Sequence, residues 1–412
     1  MEGSSTSSDP MDPSLKTALA EHPCYDEAAH RTFARMHLPV APRCNIQCNY
    51  CNRKYDCSNE SRPGVTSEVL TPEQASDKVA FVYSQIPELK VIGIAGPGDP
   101  MANEATFETI GLVHKRFPEL TMCVSTNGLA LPGNAKRLYD LGVRFVTITM
   151  NAVDPAVGEK IYSFVTKDGK PLRGREAAEH LIEQQKKGLD ECVALGMVVK
   201  INIVMIPGIN DGHIPELVRY VKSKGAYTVN ILPLIPVEGT AFQDMEAPTP
   251  EMRKALMDQC GDLGIRVMRH CKQCRADAIG KLGDDRSAEF AGCGSCRTAE
   301  RRPILLGELR DVVAVATDDG VNVNRGFGNA SEFRFYSLKD GKEIGKVSVD
   351  LSAGVAGKGH REHLQSVLVS LNAPKYIAVS EIGHYPEELI KGQGIRLLVT
   401  KERIEDLLAR LG

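Results

Sequence analysis

Three cysteines carry the strongest chemical signal in the chain. Cys44, Cys48 and Cys51 lie in the run Cys44-Asn45-Ile46-Gln47-Cys48-Asn49-Tyr50-Cys51, a C-x3-C-x2-C spacing. Three thiolates on so short a loop can hold three irons of a 4Fe–4S cube and leave the fourth iron open to another ligand. A zinc site is the alternative, and it would need a fourth ligand at a different spacing. The run follows a β-branched stretch. It is therefore expected on a loop at the C-terminal end of a first strand, where α/β architectures place their chemistry.

The remaining cysteines bound the compartment. Twelve cysteines stand in 412 residues, a density well under the roughly 8–10% of disulfide scaffolds. Met1 to Asp12 is Ser-rich and acidic and has neither the basic nor the apolar region of a secretory signal. The most apolar stretch, Met197 to Ile209, is broken by Lys200 and Asn202, so no membrane span is expected. A cytoplasmic location follows, where thiols stay reduced and act as ligands, nucleophiles or core residues. A net charge of -3 gives no basic footprint for nucleic acid.

The elements that must position these thiols can be read from periodicity. Strands are expected at His37–Ala41, Lys90–Ala95, Leu120–Ser125, Arg144–Asn151, Val198–Met205 and Thr228–Leu232. Helices alternate with them. Thr71-Pro72-Glu73-Gln74 opens one with a capping box, Thr249-Pro250 opens another, and Glu176–Leu195 puts Ala178, Leu181, Ile182, Leu189 and Cys192 on one stripe. Six βα repeats imply a parallel sheet, open or closing toward a barrel. Residues 1–20 read as a disordered leader, 21–270 as the catalytic domain, and 271–307 as a Cys-rich tail and linker. Residues 308–412 form a small α/β domain, with strands at Val312–Thr317, Glu332–Leu338, Glu343–Asp350, Tyr376–Ser380 and Ile395–Thr400. Its helices are expected at Gly359–Leu371, Pro386–Lys391 and Lys401–Leu411.

The C-x3-C-x2-C run with Tyr50 before its third cysteine resembles the radical S-adenosylmethionine superfamily. That resemblance implies a partial (β/α) barrel. It also implies a 4Fe–4S cluster on Cys44, Cys48 and Cys51, the catalytic thiols, with S-adenosylmethionine on the open iron. Gly96-Pro97-Gly98-Asp99-Pro100, after the second strand, is similar to the superfamily's Gly-rich segment, where glycine permits a close backbone approach to the cofactor. Gly96, Gly98 and Asp99 are thus expected to bind S-adenosylmethionine. Ser125 and Asn127, ending the third strand, and Asn151, ending the fourth, are expected to contact its ribose or methionine; an ordinary βα turn is the alternative for each.

A denser block narrows the resemblance. His22-Pro23-Cys24-Tyr25, Ala34-Arg35-Met36-His37, the cysteine run, and Asn52 to Gly64 with Cys57 look like the NifB family of nitrogenase cofactor maturases, as does His270-Cys271-Lys272-Gln273-Cys274. Membership implies fusion of two 4Fe–4S clusters into a carbide-centred 8Fe-9S-C precursor. One S-adenosylmethionine gives a methyl group and a second gives the radical that abstracts hydrogen from it. Under that resemblance Cys24, Cys57 and Cys123 with His37 hold the first substrate cluster. Cys260, Cys271 and Cys274 hold the second. His37 stands seven residues before Cys44, beside the expected active-site mouth. Cluster donors, a reductant protein, a downstream cofactor carrier and a cofactor scaffold are the implied partners.

Other readings stay open for parts of the chain. Cys271/Cys274 with Cys293/Cys296 fits a zinc template. Cys192 reads as a buried hydrophobe. Glu60, Arg62 and Glu68 could serve the active-site mouth or be solvated loop charges. Residues 308–412 resemble a NifX-type carrier of RNase H-like fold. Gly326 and Asn329 stand where related domains carry His, which leaves His360, His363 and His384 as possible ligands. A different radical S-adenosylmethionine maturase would leave Cys24 and His37 dispensable. A non-catalytic iron–sulfur or zinc scaffold would bind metal without cleaving the cofactor.

Overall fold

Val- and Ile-rich runs separated by amphipathic helices must pair their strands in parallel, because each helical crossover returns the chain to the same end of the sheet. A computed structural model describes residues 12–59, 61–291, 304–305, 311–349, 364, 367–368, 371, 374–392 and 395–412. Up to residue 291 the strands are β1 (Ala34–His37), β2 (Ile46–Cys48), β3 (Glu68–Val69), β4 (Leu89–Ile94), β5 (Thr121–Thr126) and β6 (Phe145–Thr149). They continue with β7 (Tyr162–Lys167), β8 (Lys170–Leu172), β9 (Val198–Met205), β10 (Thr228–Pro233), β11 (Arg266–Val267) and β12 (Ile279–Gly280).

The main sheet has the order β11-β10-β9-β6-β5-β4-β1-β12. From β1 to β11 its neighbours follow chain order and pair in parallel. A doubly wound sheet would reverse direction at a switch point. Here right-handed crossovers carry every helix to one face, so the sheet winds as a partial barrel. This decides the choice that periodicity left open.

Strand alternation then separates two environments. Met122, Val124, Val146, Ile148, Val199, Ile201 and Ile203 face the helices and join the main apolar core. The opposite positions face the barrel interior in cross-strand rows. His37, Gly93, Cys123, Phe145 and Val198 are in register, and Ser125, Thr147 and Lys200 form the next row. Asn202 and Asn230 pair in the row after that.

Local expectations hold with small offsets. Thr71 and Gln74 form the reciprocal capping box of helix Pro72–Gln85, and Thr249 caps helix Pro250–Asp262. The first strand ends at His37 instead of beginning there, since Pro39 and Pro42 have no N–H for a ladder. Part of the expected leader is ordered: Pro13–Ala20 is a helix whose N-cap Asp12 accepts from Ser14 N at 2.7 Å. Leu15, Ala18 and Leu19 pack it against Tyr25, Phe145 and Val198, and this burial overrides the polar composition. Residues 1–11 lie outside the described residues.

The tail after 270 folds back onto the barrel as far as it is described. β12 pairs antiparallel with β1, and His37 N donates to Ala278 O at 2.8 Å. Beyond it come β13 (Ile304–Leu305), β14 (Val312–Ala316), β15 (Glu332–Ser337), β16 (Glu343–Ser348), β17 (Tyr376–Val379) and β18 (Arg396–Val399). β13 pairs with β3. The last five make a separate sheet in the order β16-β15-β14-β17-β18. Its first three strands are antiparallel and the last two join in parallel. That is the strand order of the RNase H-like fold expected for this domain.

Candidate functional site

The Cys44–Cys51 loop is itself partly a strand. β2 pairs with β7, which fixes the spacing of the three thiols over a cavity of about 360 Å³ lined by Cys44, Cys48, Cys51, Arg53, Asp99 and Asn127. Burial pushes the Cys44 and Cys48 thiols up in pKa. Two amides answer that penalty: Asn127 Nδ2 donates to Cys44 Sγ at 3.7 Å and Asn59 Nδ2 to Cys48 Sγ at 4.0 Å. Arg53 is half-buried beside them. Burial opposes its charge, yet the Cys44 and Cys51 thiolates hold its pKa above the usual value. Thiols flanked by N–H donors and a half-buried guanidinium suit a thiolate-bound cluster, because these outer groups stabilise negative sulfur.

The residues expected to meet S-adenosylmethionine divide into two kinds. Gly98, Asp99 and Asn127 line the Cys44 cavity. Gly98 N donates to Ala41 O at 2.5 Å and Asp99 N to Arg43 O at 2.6 Å. A Cβ at Gly98 would overlap the Arg43 carbonyl, so this glycine permits the close approach of the chain's own backbone just before Cys44. Asp99 is filled by internal donors: Thr126 Oγ1 at 3.0 Å, Asn127 N at 2.6 Å and Met101 N at 3.0 Å. Burial nevertheless raises its pKa to about 6. Gly96 accepts from Ala41 N at 3.2 Å. Asn151 is buried behind the loop and donates to Tyr50 Oη at 2.7 Å; Tyr50 in turn donates to Asn59 Oδ1 at 2.5 Å. Asn151 therefore braces the amide that reaches Cys48.

A second cavity of about 640 Å³ occupies the barrel interior and brings together His37, Cys123, Cys24, Cys271 and Cys274, with Ser125 on the same wall. Asn59 lines both cavities. Gly93 stands between His37 and Cys123 in the row, and a Cβ there would lie 2.9 Å from His37 Cδ2 and 3.2 Å from Cys123 Sγ. The missing side chain leaves room for both groups to converge. His37 Nδ1 lies 2.9 Å from Arg275 O. A carbonyl only accepts, so Nδ1 carries the hydrogen and Nε2 keeps its lone pair, the form that binds metal. Burial first, then Arg35, lowers the His37 pKa to about 4, so the ring is neutral.

The other expected cluster ligands are distributed between the two cavities and the core. Cys24, pushed up to about 11 by burial, also feels the charges of Cys274 and Cys271. It lines the interior cavity with those two thiols and with His37 and Cys123. Arg35 Nη2 donates to Cys274 Sγ at 3.1 Å. Cys57 lines the Cys44 cavity instead of the interior one. Cys260 is fully buried in the apolar core on helix Pro250–Asp262, and burial raises its pKa to about 11. It does not line the cavity that contains Cys271 and Cys274. The reason is helical phase: Leu256, Met257 and Cys260 share the face that packs on the sheet.

The other candidates fall as follows. Cys192 is buried in the main core. Glu68 pairs with Lys78, both largely buried, and Arg62 is exposed, its N–H donating to Cys274 O at 3.0 Å. Glu60, Cys293, Cys296, His360 and His363 lie outside the described residues, and His384 is exposed on helix His384–Gly392. Among the described residues no three His, Cys, Asp or Glu groups meet as ligands of one ion.

Several site residues escaped the sequence. Asn59, Gly93, Lys200, Arg35, Arg53 and His22 matter only because strand register and loop path bring them to the two cavities. A polar residue at alternate positions of an otherwise buried strand was the available signal, and Lys200 and Asn202 in β9 carried it.

Comparison with known proteins adds two family matches. Residues 38–221 match the radical SAM superfamily and residues 310–412 the dinitrogenase iron-molybdenum cofactor family. The FeMo cofactor biosynthesis protein NifB of Herbaspirillum seropedicae is 44% identical, covering 95% of this chain and 82% of that protein. The protein of the same name from Klebsiella pneumoniae is 46% identical, over 94% and 89%. Among solved structures, SuiB of Streptococcus suis is 12% identical with a TM-score of 0.43, covering 58% of this chain and 50% of that one, a likeness too slight to carry weight.

Proposed function

The chain belongs to the NifB family, radical S-adenosylmethionine enzymes of nitrogenase cofactor biosynthesis with 4Fe–4S clusters and S-adenosylmethionine as cofactors, and we propose that it fuses two 4Fe–4S substrate clusters into a carbide-centred 8Fe-9S-C precursor. The observation that carries this reading is the convergence of five ligating side chains in one barrel cavity, with Asn59 shared between it and the Cys44 cavity.

Cys44, Cys48 and Cys51 would hold the resident cluster. When bound, that cluster and S-adenosylmethionine supply an adenosyl radical, and S-adenosylmethionine also supplies a methyl group. The chain's own groups do the positioning. Asn127, Asn59 and Arg53 stabilise the three thiolates. Gly98 and Asp99 fix the loop before Cys44. Gly96, Ser125 and Asn151 are retained as the expected cofactor-side residues, with Asn151 acting through Tyr50. Cys24, Cys57 and Cys123 with His37 Nε2 bind the first substrate cluster, Cys57 from across Asn59. Cys271 and Cys274 bind the second. A protonatable imidazole on the first cube and only two of these thiols on the second suit clusters that must move.

The domains would then run from the partial barrel to residue 270, through the tail of 271–307, to the carrier-like domain of 308–412. Cluster donors, a reductant protein, a cofactor carrier and a cofactor scaffold are its partners, in the cytoplasm. No helix among the described residues is long and apolar enough to cross a membrane.

The test is anaerobic. The chain is reconstituted with iron and sulfide, reduced, and given S-adenosylmethionine while 5′-deoxyadenosine and S-adenosylhomocysteine are quantified. Both products, with iron beyond that of a single cluster, are expected. Absence of S-adenosylhomocysteine overturns the reading, because the methyl group is the source of the carbon.

A further inference from the structure

His37 is held by one turn of the tail. Arg275 to Ala278 form a β-turn just before β12, closed by Ala278 N donating to Arg275 O at 3.2 Å. The same carbonyl oxygen lies 2.9 Å from His37 Nδ1 and takes its hydrogen. Both lone pairs of that oxygen are thereby used. At the far end of the turn, Ala278 O accepts from His37 N at 2.8 Å. The imidazole and its own backbone thus depend on where this turn sits.

The side chains of the turn fix it in place. Asp277, its side chain 11% exposed, accepts from Arg275 Nε at 2.7 Å on one oxygen and from Nη2 at 3.1 Å on the other. Arg275 Nη2 also donates to Thr66 O at 3.1 Å, which fastens the turn to the loop between Cys57 and β3. Ala276 N donates to Asp56 Oδ2 at 3.4 Å. Asp56 is fully buried and is itself held by Ser67 N at 2.9 Å and Ser67 Oγ at 2.6 Å. An ion pair between residues two apart in sequence ties no distant parts of the fold together. Desolvation of the two charges offsets much of their attraction, so the pair adds little to stability. What it supplies is geometry, because a guanidinium fork on a carboxylate fixes the backbone that joins them.

We propose that Asp277 is a positioning residue for His37. Through its two bonds to Arg275 it holds the Arg275 carbonyl against the imidazole Nδ1–H, and so keeps Nε2 aimed into the cavity. An outer carbonyl of this kind sets both the orientation and the tautomer of a metal-binding imidazole. The proposal rests on His37 being a ligand of the first substrate cluster.

The test uses the full chain, reconstituted anaerobically without S-adenosylmethionine and reduced, and reads the nitrogen coupling of the bound imidazole by pulsed electron paramagnetic resonance. His37→Ala identifies that coupling by abolishing it. Asp277→Ala is expected to weaken the coupling and to let a chelator strip that cluster about two- to tenfold faster, the range set by one hydrogen bond. Asp277→Asn is expected to retain most of the coupling, because the amide oxygen still accepts from Arg275 Nε. Arg275→Lys keeps the charge and loses the fork, so it should behave as Asp277→Ala does, and it decides the matter if Asp277→Ala does not fold. The Cys44 cluster's signal stays unchanged throughout. Unchanged nitrogen coupling and chelator rate in these variants overturn the proposal, even where the melting temperature falls, which is the mark of a purely structural role. Equal loss at the Cys44 cluster overturns it for the same reason. If His37→Ala leaves the nitrogen coupling in place, the reading of His37 as a ligand fails, and the proposal with it.

Discussion

Gly93→Ala tests how the first substrate cluster is seated. The added methyl would stand 2.9 Å from His37 Cδ2, 3.3 Å from His37 Nε2 and 3.2 Å from Cys123 Sγ. Gly93 has ordinary extended-strand geometry within β4, so the penalty is steric and not conformational. Overpacking of this kind costs about 1–3 kcal/mol. If the imidazole turns away, the Nδ1–H bond to Arg275 O is lost as well, worth about 0.5–1.5 kcal/mol. Together these amount to about 2–4 kcal/mol, or a drop of roughly 5–15 °C in the melting temperature of a barrel this size. Either His37 or Cys123 must move from the cavity, so the iron of one cube, about four atoms per chain, should be lost on reconstitution. The Cys44 loop is not touched, so 5′-deoxyadenosine should still form. Thermal melting of the apoprotein and iron analysis check both parts. In the double variant with His37→Ala the steric term should shrink, giving a coupling energy of about 1 kcal/mol or more. A Gly93→Ala protein with wild-type melting and full iron would refute the convergence of His37 and Cys123 on this row.

Four further outcomes follow from the same geometry. Cys260→Ala should leave iron content unchanged and lower stability by about 1–2 kcal/mol, whereas Cys24→Ala should lose one cluster's iron; loss of iron in Cys260→Ala would restore the sequence-based grouping. Gly98→Ala should abolish 5′-deoxyadenosine formation, because its Cβ overlaps the Arg43 carbonyl and displaces the loop that carries Cys44. Lys78→Met leaves Glu68 buried and unpaired and should destabilise by about 3–5 kcal/mol, with most of the loss regained in the double variant with Glu68→Gln. Glu108 has its pKa raised to about 7 by burial and by Glu73 and Glu104. The folded pKa lies above the unfolded one, so its contribution is complete below about pH 4.5 and is lost as pH rises toward 7. Glu108→Gln should therefore stabilise the fold at pH 8 by about 1 kcal/mol after allowance for its partial exposure, read as a raised melting temperature, and leave the melting temperature unchanged at pH 4.5.

Much of this protein is written locally. The spacing of Cys44, Cys48 and Cys51 is local, as are the capping box at Thr71 and the alternation of β-branched strands with amphipathic helices. Each depends on residues within a turn or a strand of one another, so each can be read without the fold. The β-strand edges shifted by a residue or two where proline intervened, as at Pro39.

What only the tertiary structure decided is which distant residues meet. Cys24 is nearly the length of the barrel from Cys271 and Cys274 in sequence, and all three line one cavity because β12 returns antiparallel to β1. Cys260 looks like their partner by proximity in the chain, but helical phase turns it into the core. Lys200 reads as a blemish in an apolar run until the register of β9 with β6 sets it on the inner row beside Thr147. Sequence spacing records which residue types are present, whereas strand order and register determine the face on which each one stands. In a barrel that face is the difference between an apolar core and a charged cavity.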